Sequence, residues 1–161
     1  MPTGSASRVR PLAAARATLR WFLFKGAPQE PFSLPEANSV STVLLVDDSP
    51  TLRRAMSGLL KNEGYTVETA KDGNDALSKV DGSLRPDLVI TDLNMPGLDG
   101  MGLIKELRNG RLPYTPILML TTETEKSKRM EAKQAGATGW LVKPISRDDL
   151  VAVLRKVLPR G

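Results

Sequence analysis

Five side chains of this sequence have types and positions suited to one chemistry. Asp47 and Asp48 close the run "TVLLVDDSP", Asp92 closes "LVITD", Thr121 closes "ILMLT" and Lys143 follows "GWLV". Each stands where a short apolar run gives way to a turn or a helix start. Singly they have ordinary readings: Asp48 as a helix cap, Asp92 as a turn residue, Thr121 as a strand-end residue, Lys143 as a solvated cation. Together they put three carboxylates, a hydroxyl and an ammonium at the ends of four strands. Carboxylates ~4 Å apart at an effective dielectric of ~20 repel by about 4 kcal/mol per pair. Such a cluster has no purpose in stability alone and makes sense around a divalent cation. With oxygen ligands only, the cation is Mg²⁺, Mn²⁺ or Ca²⁺ rather than zinc or copper. Lys143 is a point charge suited to a phosphoryl oxygen, and a hydroxyl donates to the same group.

The bulk composition narrows the chemistry further. The 161 residues contain no histidine and no cysteine. That removes the Ser-His-Asp triad, thiolate metal sites and a disulfide framework. The net charge of +5 is uneven. Residues 1–39 hold five basic residues (Arg8, Arg10, Arg16, Arg20, Lys25) and two acidic ones (Glu30, Glu36), whereas the remainder holds 18 and 16. The near-neutral main part does not have the charge of a nucleic-acid binder. No apolar run approaches the ~18 residues of a membrane span, and a cytoplasmic location is expected.

The elements that must position these residues begin at Ser41. Apolar runs at 42–46, 65–69, 87–91, 116–120 and 139–142 alternate with segments of helical spacing. Helix starts are marked by Ser49 with Pro50, Asp72, Leu98 or Asp99, and Ser146 with Asp149; Gly64 and Gly136 mark stops. The "LDGMGLIKELRN" helix is expected to run to Asn109. Strands 1, 3 and 4 are apolar without alternation, as parallel strands covered on both faces should be. Strand 2, with Thr66, Glu68 and Thr69, belongs at an edge. The pattern is βα five times, an α/β doubly wound five-stranded parallel sheet whose functional crevice lies at the carboxyl ends of the strands. Residues 41–158 form this domain. Residues 1–40 read as a basic, Pro-rich tail, disordered or mis-assigned, with a weak amphipathic helix over Leu12–Phe24 and a linker from Gly26 to Asn38.

The segments "VLLVDDSPTLRR", "VITDLNMPGLDG", "LMLTTETE" and "AGATGWLVKPI" resemble the receiver domain of bacterial two-component response regulators, of the stand-alone chemotaxis (CheY-like) type. The resemblance covers residues 41–158. It implies a flavodoxin-like fold with strand order 2-1-3-4-5. It implies that Asp92 accepts a phosphoryl group from the phosphohistidine of a sensor histidine kinase. Asp47 and Asp48 would hold Mg²⁺ with Asp92 and the backbone carbonyl of Asn94, Asp48 as a direct ligand. Thr121 would be the switch hydroxyl, Lys143 the phosphoryl partner, and Pro144 would follow through a cis bond. Trp140 stands where the family has Tyr or Phe, and is expected as the aromatic part of the switch; its ordinary reading is a half-buried edge-strand aromatic. Pro96, Gly97 and Gly100 would form the tight loop beside Asp92.

The expected function is a phosphorylation-dependent signalling switch in a phosphorelay, with no enzymatic turnover beyond its own phosphoryl transfer and loss. A downstream protein would bind the face of the fourth helix, fifth strand and fifth helix. Two other classes compete. An aspartyl-phosphate phosphatase also uses a strand-end Asp with Mg²⁺, but its general acid two residues on is replaced by Asn94, and Asp47 and Asp48 precede the nucleophile instead of following it. An adaptor tethered to membrane or nucleic acid through residues 8–25 would rest on few charges. Finally, "VSTVLLVDDSP" starting at Val40 reads as a natural receiver start if its codon is GTG, so residues 1–39 are expected to be a mis-assigned extension.

Overall fold

A computed structural model of the chain describes residues 21–26 and 40–158. Its elements are β1 (Trp21–Leu23), β2 (Thr42–Val46), α1 (Pro50–Asn62), β3 (Thr66–Ala70), α2 (Gly73–Asp81), β4 (Leu88–Thr91), α3 (Gly100–Glu106), β5 (Ile117–Thr121), α4 (Lys126–Ala135), β6 (Gly139–Val142) and α5 (Arg147–Val157). The sheet order is β1-β6-β5-β4-β2-β3. The five strands of the βα repeats, β2 to β6, are all parallel and stand in the expected order 2-1-3-4-5. The fold is flavodoxin-like.

The central strands β2, β4 and β5 are buried along almost their whole length. One face packs under α2, α3 and α4 through Val46, Val89 and Met119. The other packs under α1 and α5 through Val43, Ile90 and Leu118. Edge strand β3 alternates exposed and half-covered residues, which is what its Thr and Glu content requires.

Local chemistry explains where the helices begin. Ser49, Asp72, Asp99 and Ser146 each accept a backbone N–H from the first turn of the helix that follows. Gly136 ends α4 in the left-handed conformation at φ +112, which favours glycine. The third helix departs from expectation. It ends regularly at Glu106, and a π turn, Leu107–Arg111, replaces the run to Asn109. Asn109 and Gly110 leave helical geometry, the latter at φ +87. Meanwhile Arg108 donates forward to the carbonyls of Leu112 and Thr115, both at 2.7 Å, and Gly136 at 3.0 Å.

The second departure lies before the domain. Trp21–Leu23 is not part of a helix but a strand antiparallel to β6, with Trp21 opposite Leu141 and Leu23 opposite Gly139. The apolar edge of β6 offers this segment both backbone partners and a surface to bury. The rest of the expected tail helix and the linker, residues 12–20 and 27–39, lie outside the described residues.

Candidate functional site

Backbone bonds draw the strand ends together. The Asp92 N–H donates to Val46 C=O (3.0 Å), that of Asp47 to Ala70 C=O (3.1 Å) and that of Lys143 to Thr121 C=O (2.9 Å). Side chains from three non-consecutive segments therefore meet at one rim. Asp47, Asp48 and Asp92 each offer a carboxylate oxygen, and these oxygens all lie within 4.8 Å of one another. Asp47 is buried, Asp92 half-buried and Asp48 exposed. The side chain of Asp48 reaches an open groove of about 490 Å³ that Asn94, Met95 and Pro96 also line.

Lys143 crosses this acidic cluster. Its Nζ donates to Asp47 Oδ2 at 2.8 Å and to Asp92 Oδ2 at 3.1 Å, with only 14% of the side chain exposed. Burial opposes the ammonium charge, but the Asp47 hydrogen bond and the charges of Asp92 and Asp47 outweigh it, raising Lys143 above the ordinary lysine range. The Lys143 ammonium thus bridges two of the three acids, and among the described residues no cation pairs with the Asp48 carboxylate. The other carboxylate oxygens are partly occupied. Asp47 Oδ1 accepts the Ser49 N–H at 2.8 Å, and Asp92 Oδ1 accepts the Leu93 N–H at 2.7 Å. The all-oxygen donor set, with an exposed carboxylate beside two held ones, fits a hard divalent cation.

The loop beside Asp92 is tight for a stated reason. A Cβ on Gly100 would collide with the Asp92 carbonyl oxygen and stand 2.9 Å from Leu93 Cα. Helix α3 thus backs directly onto the acid's own backbone, and its first N–H, from Gly100, donates to Leu93 C=O at 2.8 Å. Gly97 supplies a left-handed φ of +76. The Lys143–Pro144 bond is cis, as the resemblance implies.

Two expected site residues lie differently from a simple picture of convergence. Thr121 is completely buried, and its Oγ1 accepts the Glu123 N–H at 3.2 Å, with no hydrogen bond to the carboxylates. Trp140 is not half-buried but has no exposed surface, and its indole N–H has no acceptor among the described residues. Trp140 lies in the cluster under α2, α3 and α4, and Phe24, the residue after β1, packs against that same cluster. Sequence reasoning also missed Arg53, whose Nη1 holds the Asp47 carbonyl at 2.6 Å. Its only signal is a basic residue one turn into the helix after the acid pair.

Residues 43–155 match the family model of the response regulator receiver domain. The chain belongs to that family. It is 38% identical over 120 residues to the chemotaxis protein CheY of Pseudomonas aeruginosa, covering 73% of this chain and 96% of that one. It is 38% identical over 119 residues to the transcriptional regulatory protein TrcR of Mycobacterium tuberculosis, where the match takes in 74% of this chain and 46% of the relative. The chain thus spans under half the length of that regulator. Among solved structures, the chemotaxis protein CheY4 of Vibrio cholerae superposes with a TM-score of 0.71 at 46% identity, over 74% of this chain and all of the other. As a receiver domain the chain is a signalling module of two-component systems, and no helix among the described residues is long and apolar enough to cross a membrane.

Proposed function

We propose that the chain is a phosphorylation-controlled switch that receives its phosphoryl group on Asp92 from a sensor kinase's phosphohistidine. The observation that carries this reading is the excess of acid at the strand ends: Asp47, Asp48 and Asp92 within 4.8 Å against the single ammonium of Lys143. An Asp92 carboxylate oxygen forms the new O–P bond. The P–N bond of the donor breaks, and its electron pair stays on the imidazole nitrogen, which takes up a proton. Asp47, Asp48, Asp92 and the backbone carbonyl of Asn94 are the groups that would hold Mg²⁺. The ion, when bound, neutralises charge on the phosphoryl oxygens. Lys143, held on Asp92, supplies positive charge where those oxygens arrive. The hydroxyl of Thr121 leaves Glu123 for the modified acid, and Trp140 follows it as the aromatic part of the switch.

The result is a changed surface on α4, β6 and α5 for a downstream protein. The chain turns over no external substrate, and it works in the cytoplasm. The test uses acetyl phosphate as a small donor. With Mg²⁺ the chain gains one phosphoryl group by intact mass, and Asp92→Asn, nearly isosteric, gains none while keeping its circular dichroism. Undiminished labelling of Asp92→Asn refutes the assignment. Hydrolysis of an added phosphomonoester would favour the phosphatase reading instead.

A further inference from the structure

Segment 21–24 straddles the sheet edge. Trp21 and Leu23 pack on the side of α5, and Phe24 packs on the opposite layer, in the cluster that contains Trp140. Lys156 on α5 lies 4.9 Å above the Trp21 ring, a cation–π contact. The Phe24 N–H donates to Thr138 C=O at 2.9 Å, and Phe22 stands opposite Trp140. Since Lys143 turns its N–H toward β5, strand alternation turns the N–H of Trp140 toward β1. Without β1, β6 would be a bare, apolar edge, open to pairing with another chain.

The chain between β1 and β2 is long enough to allow release. β1 ends at the amino end of the sheet, where β2 begins, and four strand spacings separate them, about 19 Å. Residues 27–39 reach roughly 43 Å when extended. A three-residue strand joined through a linker of that length would be favoured by proximity, at an effective concentration on the order of 1 mM.

We propose that Trp21–Phe24 is a guard acting in cis: it fills a strand-docking edge on β6, seals Trp140 from water, and must leave before another strand pairs there. The edge accepts an extended peptide with aromatic and aliphatic residues on both faces, its natural occupant being this chain's own segment. Phosphorylation of Asp92 plays no part in this inference, so it stands or falls separately from the proposed function.

The test compares the full chain with Leu23→Asp, which places a charge against the α5 layer. Phe24→Pro, which removes the bond to Thr138 without burying a charge, guards against misfolding of the first variant. Amide hydrogen exchange by NMR should speed at Trp140 by at least about tenfold in both variants, with central-strand amides such as Leu44 unchanged. A synthetic peptide, RWFLFK, should restore protection of the Trp140 amide in Leu23→Asp and bind the parent chain far more weakly. Equal Trp140 exchange in parent and variants overturns the proposal, as does equal peptide binding. A parent chain that is dimeric, and monomeric only as Leu23→Asp, would show the strand acting between copies and overturn the guard in cis. An N terminus at Val40 in protein purified from its native cells would overturn it as well.

Discussion

The two ends of the parallel sheet use charge in opposite ways. At the amino ends, Arg108 and the exposed Asp87 both bond to backbone. Arg108 gathers the carbonyls of Leu112, Thr115 and Gly136, and Asp87 accepts the Thr42 N–H at 2.7 Å. At the carboxyl ends, acid is set against acid with one lysine between. The first arrangement satisfies groups the fold would otherwise bury unpaired. The second leaves an excess of negative charge, which the proposed cation would offset. Stability and chemistry are therefore separable, and substitutions at the two ends should fail in different ways.

The largest stability loss is expected at the amino end. Arg108→Met keeps the apolar stem but removes three charge-assisted hydrogen bonds, at a cost of about 3 kcal/mol by urea unfolding. Phosphoryl acceptance at Asp92 should stay within about twofold, because the change is remote from the acids. A loss of acceptance comparable to that of Asp92→Asn would erase the distinction between the ends.

Lys143→Met comes next. Removing the ammonium leaves Asp47 and Asp92 without their shared partner and should cost about 2 kcal/mol without Mg²⁺. The pH dependence sharpens this. Lys143 is raised in the folded chain, so its stabilisation is complete below the unfolded lysine value of about 10.4 and is lost as pH rises through the higher folded value. The stability difference between parent and variant should therefore shrink only in strong alkali. A difference that vanishes near neutrality would contradict the ion pair.

Asp48→Ala should have little effect without metal. With Mg²⁺ at ~10-fold excess over its Kd, the parent gains about 1.4 kcal/mol by linkage, and the variant should lose most of that gain in thermal melts. An equal gain in both would place the metal elsewhere. The smallest effect is expected for Asp87→Ala, about 1 kcal/mol or less, since the exposed acid closes one bond to Thr42.

Most of this framework was legible in sequence because its signals are local. Ser49, Asp72, Asp99 and Ser146 announce their helices within three residues. The apolar runs ending at Val46, Thr91 and Thr121 place their acids and hydroxyl by simple alternation of strand and helix. What was hidden depends on distant partners. "WFLF" is short enough to read as helix or strand, and only the edge of β6, more than a hundred residues later, decides for strand. The burial of Trp140 likewise depends on distant residues, those of the layer under α2, α3 and α4 together with Phe24. Arg108 gave no sign of its three carbonyls, which come from Leu112 just after the π turn, from Thr115 before β5 and from Gly136 at the end of α4. The bond from Lys143 to Asp47 likewise needed the folded strand order, since position in sequence places Lys143 against neither acid.

The central claim is that the acid-rich end exists to modify one particular carboxylate. Borohydride reduction of the chain after acetyl phosphate and Mg²⁺ converts an aspartyl phosphate to homoserine, which peptide mass spectrometry locates to the residue. The account predicts homoserine at position 92 and at neither 47 nor 48, with none formed when Mg²⁺ is chelated. Homoserine at Asp47 or Asp48 with position 92 unmodified, in the folded parent chain, would contradict it.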